Sequence, residues 1–179
     1  MKYKQIIFMI IVSSLTLILF GSISSVNARE NPPLSQSHIE RIKYNCVQAQ
    51  STLSRLHDSD TLLRVDRGRV YEYILSKLMA PFNGRVTSNR LDSVTMVTTT
   101  KEYERELNKF RESYISYERS INSSMNINCI ENPSEFYYAV DDARTKRQIV
   151  HSHTLNLESM IKSYSSLFES LYSSVKAQE

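Results

Sequence analysis

From Phe136 to Val175 the chain repeats one pattern. Phe136, Val140, Ala143, Arg147, Val150, Thr154, Leu157, Ile161, Tyr164, Phe168, Leu171 and Val175 follow one another at steps of three or four. That spacing gathers the side chains on one stripe of an α-helix and does not fit the two-residue period of a strand. Only Arg147 and Thr154 interrupt the stripe with polar groups. The start signal is Asn132-Pro133-Ser134-Glu135: a capping amide, a proline at the first helical position and an acid in the first turn. A continuous helix here would be roughly 60 Å long at a rise of 1.5 Å per residue.

The rest of the chain carries the same period. Met96, Thr100, Tyr103, Leu107, Phe110, Tyr114, Tyr117 and Ile121 form a second unbroken seam, with Glu104, Arg105, Lys109 and Arg111 outside it. The seam reaches back through the β-branched run Val94–Thr100, which is therefore read as helix. Upstream, Ser37-His38-Ile39-Glu40 is a capping box. Ile39, Ile42, Cys46, Ala49, Leu53 and Leu56 then mark a helix ending near His57. Asp58-Ser59-Asp60 predicts a turn, followed by a helix over 61–80 with Leu63, Val70, Ile74 and Leu78 on one stripe. Gly68 weakens that helix by about 1 kcal/mol, and its expected use is to admit a second backbone. Pro81 is expected to end the helix. Residues 82–92 are read as a loop with one irregular turn, and residues 122–131 as a polar loop.

Glycine and proline, the usual makers of tight turns, are too scarce for a sheet protein of this size: three and four in the whole chain. The expected fold is all-α, an up-down bundle of about four helices over residues 37–176. Its helices should cross near 20°. The last helix, coiled-coil-like, outreaches the first two, so part of it must project or meet a partner.

The N-terminus sets the compartment. Met1-Lys2-Tyr3-Lys4 is a basic head, Ile6–Phe20 an apolar run, and Val26-Asn27-Ala28 a small-residue cleavage pattern. Residues 1–28 are read as a signal peptide and 29–36 as a flexible leader. The alternative is an uncleaved anchor, although the apolar run is shorter than the roughly 20 residues a span requires. Both readings place the body of the protein outside the cytoplasm. Lys2 and Lys4 are the only charges before residue 29; removing them from 22 basic against 19 acidic side chains leaves a net charge of +1. Nucleic-acid binding is therefore not indicated, and a membrane is met only through the N-terminal segment if it stays uncleaved. The cysteine count is even, and in an exported chain Cys46 and Cys129 are read first as a disulfide.

Chemistry-bearing constellations are weak. His151 and His153 are two residues apart and point roughly 200° from each other on a helix, so they do not chelate. Both are read as surface residues. Glu102, Glu104, Glu106, Glu112, Glu118, Asp141 and Asp142 lie beside lysines and arginines and are read as solvated helix surface. No nucleophile elbow or phosphate-cradling loop is present. No catalytic residue, metal ligand or cofactor site is assigned. Aromatic and seam residues remain as candidate partner contacts: Tyr137, Tyr138, Leu157, Ile161, Tyr164, Phe168, Leu171 and Val175.

Two segments carry a resemblance. They are Leu78-Met79-Ala80-Pro81-Phe82-Asn83-Gly84-Arg85 leading to Asn89-Arg90-Leu91-Asp92, and Cys129 through Pro133, Phe136-Tyr137 and Ala143-Arg144 to Arg147. In these the chain resembles an uncharacterised family of exported all-helical proteins from candidate-phylum bacteria with reduced genomes. The resemblance implies export, helices and an extracytoplasmic setting, and transfers no functional residue. The expected function is a non-catalytic helical module at the cell envelope that binds or scaffolds another protein or itself through its coiled-coil seam. The alternatives are a membrane-anchored structural subunit and a small enzyme or ligand carrier with a pocket inside the bundle.

Overall fold

A computed structural model describes residues 32–177; the signal, cleavage and anchor readings lie outside them, as do residues 29–31 of the leader. The described residues form an all-α bundle, with no strand among them. The elements are α1 (Gln36–Tyr44), α2 (Cys46–Tyr73), a π-helical turn (Ile74–Met79), α3 (Ala80–Ser88), α4 (Val94–Met125) and α5 (Pro133–Lys176). Side-chain partners give the directions. Tyr71 meets Phe110 while Asp60 meets Tyr117, so α4 runs against α2. Glu106 meets His153 while Ser120 meets Asp142, so α5 runs against α4 and along α2.

Several expected boundaries move. Residues 58–60 make no turn: α2 runs straight through them. Capping propensity is a weak prior, and here Asp60 is held in the helix by Arg147 and Tyr117. The break comes earlier, at Asn45, whose side-chain amide donates to the Arg41 carbonyl at 2.8 Å and competes with helix continuation. Ser37 is not the cap either. Ser35 takes that place, α1 starts at Gln36, and the capping box does not form.

Nor does Pro81 end its helix. It lies in the first turn of α3, directly after the π turn. A proline removes one amide donor and its ring crowds the preceding carbonyls. Widening the turn ahead of it relieves that crowding. Tyrosine hydroxyls flank the irregular segment: Tyr103 donates to the Tyr71 carbonyl at 3.2 Å and Tyr164 to the Met79 carbonyl at 3.2 Å. Residues 82–88, expected as loop, are therefore helix. The turn into α4 uses Arg90 at φ 59°, and Asp92 accepts the Val94 amide at 3.1 Å.

The α4 seam lies as predicted, with all eight of its residues from Met96 to Ile121 buried. A fully buried leucine such as Leu107 contributes about 1.5–3 kcal/mol. Of the stripe predicted for 61–80 only Ile74 packs on the core: Leu63, Val70 and Leu78 are about half exposed, while Asp60 and Tyr71 face inward. Gly68 admits no second backbone, since a Cβ there would meet nothing within 4 Å. Because α3 prolongs the first arm, α5 has neighbours further along its length than expected. Phe82 and Phe168 have ring centroids 5.0 Å apart, and Leu171 still packs on the main core. At the other end, Cys46 and Cys129 form a disulfide across 83 positions, in a satellite core with Phe136. A disulfide of this kind belongs to an oxidising environment.

Candidate functional site

The backbones of α2 and α5 approach each other little along their middles. Long side chains bridge the gap at two levels. Arg147 grips Asp60 with two N–H groups, Nε to Oδ2 at 2.6 Å and Nη2 to Oδ1 at 3.0 Å. Further along, Arg67 donates to Glu158 at 2.9 Å. Between these bridges lies an open bowl of about 330 Å³. Its floor is aromatic, from Phe110, Tyr114 and Tyr117 of α4. Leu63 and Arg64 of α2 form one wall, and Val150, His151, Thr154 and Leu155 of α5 the other.

Each polar group of the bowl has a traceable cause. Asp60 continues the inward seam of α2 and is 9% exposed. Burial works to raise its pKa, but the hydrogen bonds from Arg147 and Tyr117 and the arginine charge outweigh it and hold the carboxyl below its ordinary value. The Tyr117 hydroxyl donates to Asp60 Oδ2 at 2.7 Å, and burial with that adjacent carboxylate pushes its own pKa far up. Arg147, whose pKa rises first through its bond to Asp60, keeps its charge. The Arg64 guanidinium carbon sits over the Tyr114 ring, 4.7 Å from the centroid. Arg64 has no carboxylate partner among the described residues.

A second cavity of about 380 Å³ lies at the disulfide end, lined by His38, Arg41, Ile42, Asn45, Ala49, Phe136 and Tyr137. Tyr137 is 43% exposed there and stands edge-on to Tyr138, with centroids 5.2 Å apart. The remaining contact candidates divide. Leu157 and Tyr164 are buried in the chain's own core, and Ile161 and Leu171 pack against it. Phe168 is exposed and stacks on Tyr172 with centroids 6.5 Å apart, while Val175 is half-buried.

Two expectations about polar residues are corrected. Glu106 is buried, not solvated: it turns from α4 toward α5 and accepts from Asn156 at 2.8 Å, with His153 Nδ1 at 2.7 Å. Burial would raise its pKa, and the bonds from His153 and Asn156 bring it below the ordinary value instead. His153 is consequently half-buried, whereas His151 is exposed on the bowl wall. Among the described residues no three His, Cys, Asp or Glu side chains are grouped to hold a metal ion. No helix among them is long and apolar enough to cross a membrane.

Arg64 was not singled out by sequence; Asp60 was read as part of a turn and Tyr117 as a member of the α4 seam. The sequence signals for the bowl are the aromatic run Phe110, Tyr114 and Tyr117 in the α4 seam and the polar interruptions Arg147 and Thr154 in the last seam. The fold and the site together define an all-α bundle with an arginine-lined bowl open on one face. Comparison with family models, curated proteins and solved structures finds no match for the chain.

Proposed function

We propose that this is an exported, non-catalytic binding protein that receives its ligand in the bowl between α2 and α5. The observation that carries the reading is the pairing of an apolar, aromatic floor with a guanidinium, Arg64, that has no counter-charge among the described residues. Ligand sites are commonly concave and largely apolar with a few orienting polar groups. Two titratable side chains of the bowl favour binding over catalysis: Asp60 is committed to Arg147 and Tyr117, and the Tyr117 hydroxyl is held protonated. Export is supported by the signal pattern of residues 1–28 and by the disulfide. Amino-terminal sequencing of the exported form tests it, with Arg29 the expected first residue; a start at Met1 points instead to the anchored subunit. The binding reading is tested by screening small molecules against the purified exported protein and following backbone amide shifts. Hits clustering on Leu63, Arg64, Val150 and Leu155 support it. Hits confined to other surfaces refute it.

A second reading, self-association at the cell envelope, is favoured by the exposed Phe168–Tyr172 stack near the end of α5. Light scattering decides it. A dimer that dissociates on Tyr172→Ser supports it, and a monomer at all concentrations removes it.

A further inference from the structure

We infer that the bowl binds a free, compact apolar monocarboxylate, an inference that rests on the binding-protein reading above. Both carboxylates of the lining are already neutralised, Asp60 by Arg147 and Glu158 by Arg67. What remains is an excess of positive charge on the rim. Arg64 sits over the Tyr114 ring and donates to no acceptor among the described residues, so its N–H groups can serve a ligand. Arg147 spends two of its N–H groups on Asp60, and His151 stands exposed one helical turn further along α5. Glu118 is near enough to act on the Tyr114 hydroxyl, but it is not part of the lining and makes no ion pair with Arg64.

The rest of the bowl sets the body of the ligand. Phe110, Leu63, Val150 and Leu155 offer hydrocarbon on the floor and both walls. A polyanion such as a phosphate ester would meet too little positive charge and too few donors there. A single carboxylate with an apolar body matches both halves. Length is limited as well. The Asp60–Arg147 and Arg67–Glu158 bridges cross the groove at its two ends, so a helix or strand cannot run through. The volume of about 330 Å³ falls at the small end of ligand sites.

The test uses 3-phenylpropionate and octanoate, with 3-phenylpropanol and octanol as neutral counterparts and inorganic phosphate as a bare anion. Each is titrated into the exported protein while backbone amides are followed by NMR. The acids should bind at least about tenfold more tightly than their alcohols, the worth of one charge-assisted hydrogen bond. They should shift the amides of Leu63, Arg64, Val150 and Leu155. Arg64→Gln should erase that preference, bringing the affinity of each acid to that of its alcohol. Leu155→Asp, at an exposed position, should abolish acid binding in a chain whose circular dichroism is unaltered. Acid and alcohol binding the bowl equally, phosphate binding as tightly as the acids, or Arg64→Gln retaining the preference would each overturn the monocarboxylate assignment and leave the bowl as a site. No shift at the bowl with any of the five compounds would overturn the site itself.

Discussion

Replacing Arg147 with methionine isolates the energetics of the bowl's main cross-link. The substitution keeps most of the aliphatic stem and deletes the charge, leaving the Asp60 carboxylate with one remaining donor, the Tyr117 hydroxyl at 2.7 Å. Stranding one partner of a fully buried ion pair costs about 3–5 kcal/mol. Exposed pairs are worth about 0–1 kcal/mol. This pair lies between those limits, since the side chain of Asp60 is 10% exposed and that of Arg147 49%. The bowl is also open, so water reaches the site. A destabilisation of about 2 kcal/mol is therefore expected. For a domain of this size it lowers Tm by roughly 4–8 °C.

The companion variant is Asp60→Asn, which alone costs about 1–2 kcal/mol because Arg147 loses its counter-charge. In the double variant neither charge is stranded, so its cost should fall at least about 1 kcal/mol below the sum of the single costs. Urea denaturation at pH 7, followed by circular dichroism at 222 nm, gives all four stabilities. If Arg147→Met lies within about 0.5 kcal/mol of the parent, or the two changes add, the bridge is a solvated surface pair and does not cross-link α2 to α5.

Four further outcomes are expected. Gly68→Ala should stabilise the protein by about 1 kcal/mol, since the glycine is helical and its new methyl meets nothing within 4 Å; a loss in urea melts would mean that the glycine has a contact role. Arg90→Gly should raise stability by about 1 kcal/mol, because φ 59° strains any residue with a Cβ, and an unchanged midpoint would show that the turn relaxes. Removing the disulfide with Cys46→Ala and Cys129→Ala should cost up to about 4–5 kcal/mol, the chain-entropy value for a crosslink across 83 positions, read from the urea midpoint. Finally, Asp60, Glu106 and Asp142 all have folded-state pKa values below their ordinary ones. Their stabilisation is complete above the unfolded values near 4 and is lost as pH falls through the lower folded values. Urea midpoints should therefore hold from pH 7 to about pH 5 and drop below pH 4, and Asp60→Asn should flatten the drop.

The seams that sequence resolved best are those whose inward positions are almost all apolar. The α4 seam satisfies that condition from Met96 to Ile121, and every member is buried. The first arm fails it. Its inward path passes through Asp60 before reaching Tyr71 and Met79, while Leu62, Leu63, Val65 and Val70 face out. Hydrophobicity alone therefore favours the wrong stripe, and Asp58-Ser59-Asp60 imitates a turn. Only tertiary partners overrule both signals: an arginine 87 positions away and a tyrosine 57 positions away. Pro81 misled for a different reason. A proline stops a helix of ideal width, and the π turn ahead of it is not of ideal width. That turn is flanked by hydrogen bonds from Tyr103 and Tyr164, which no local pattern connects to it.

The misplaced polar residues and the candidate site have one origin. A seam can hold a charged residue only where a neighbouring seam supplies its counter-charge at the same level. Asp60 and Arg147 meet this condition across the gap between α2 and α5. An ion pair spans a wider gap than two leucines do, so the same pair that keeps α2 in register also holds it away from α5 and leaves the aromatic face of α4 open between them. Apolar replacement of both, Asp60→Leu with Arg147→Leu, removes the charges and supplies hydrocarbon to close the gap. Such replacements of buried pairs are often neutral or stabilising. The double leucine variant should therefore be at least as stable as the parent and lose the bowl. If it is stable and still admits ligands between Leu63 and Leu155, the opening is set by the backbones and not by the ion pair.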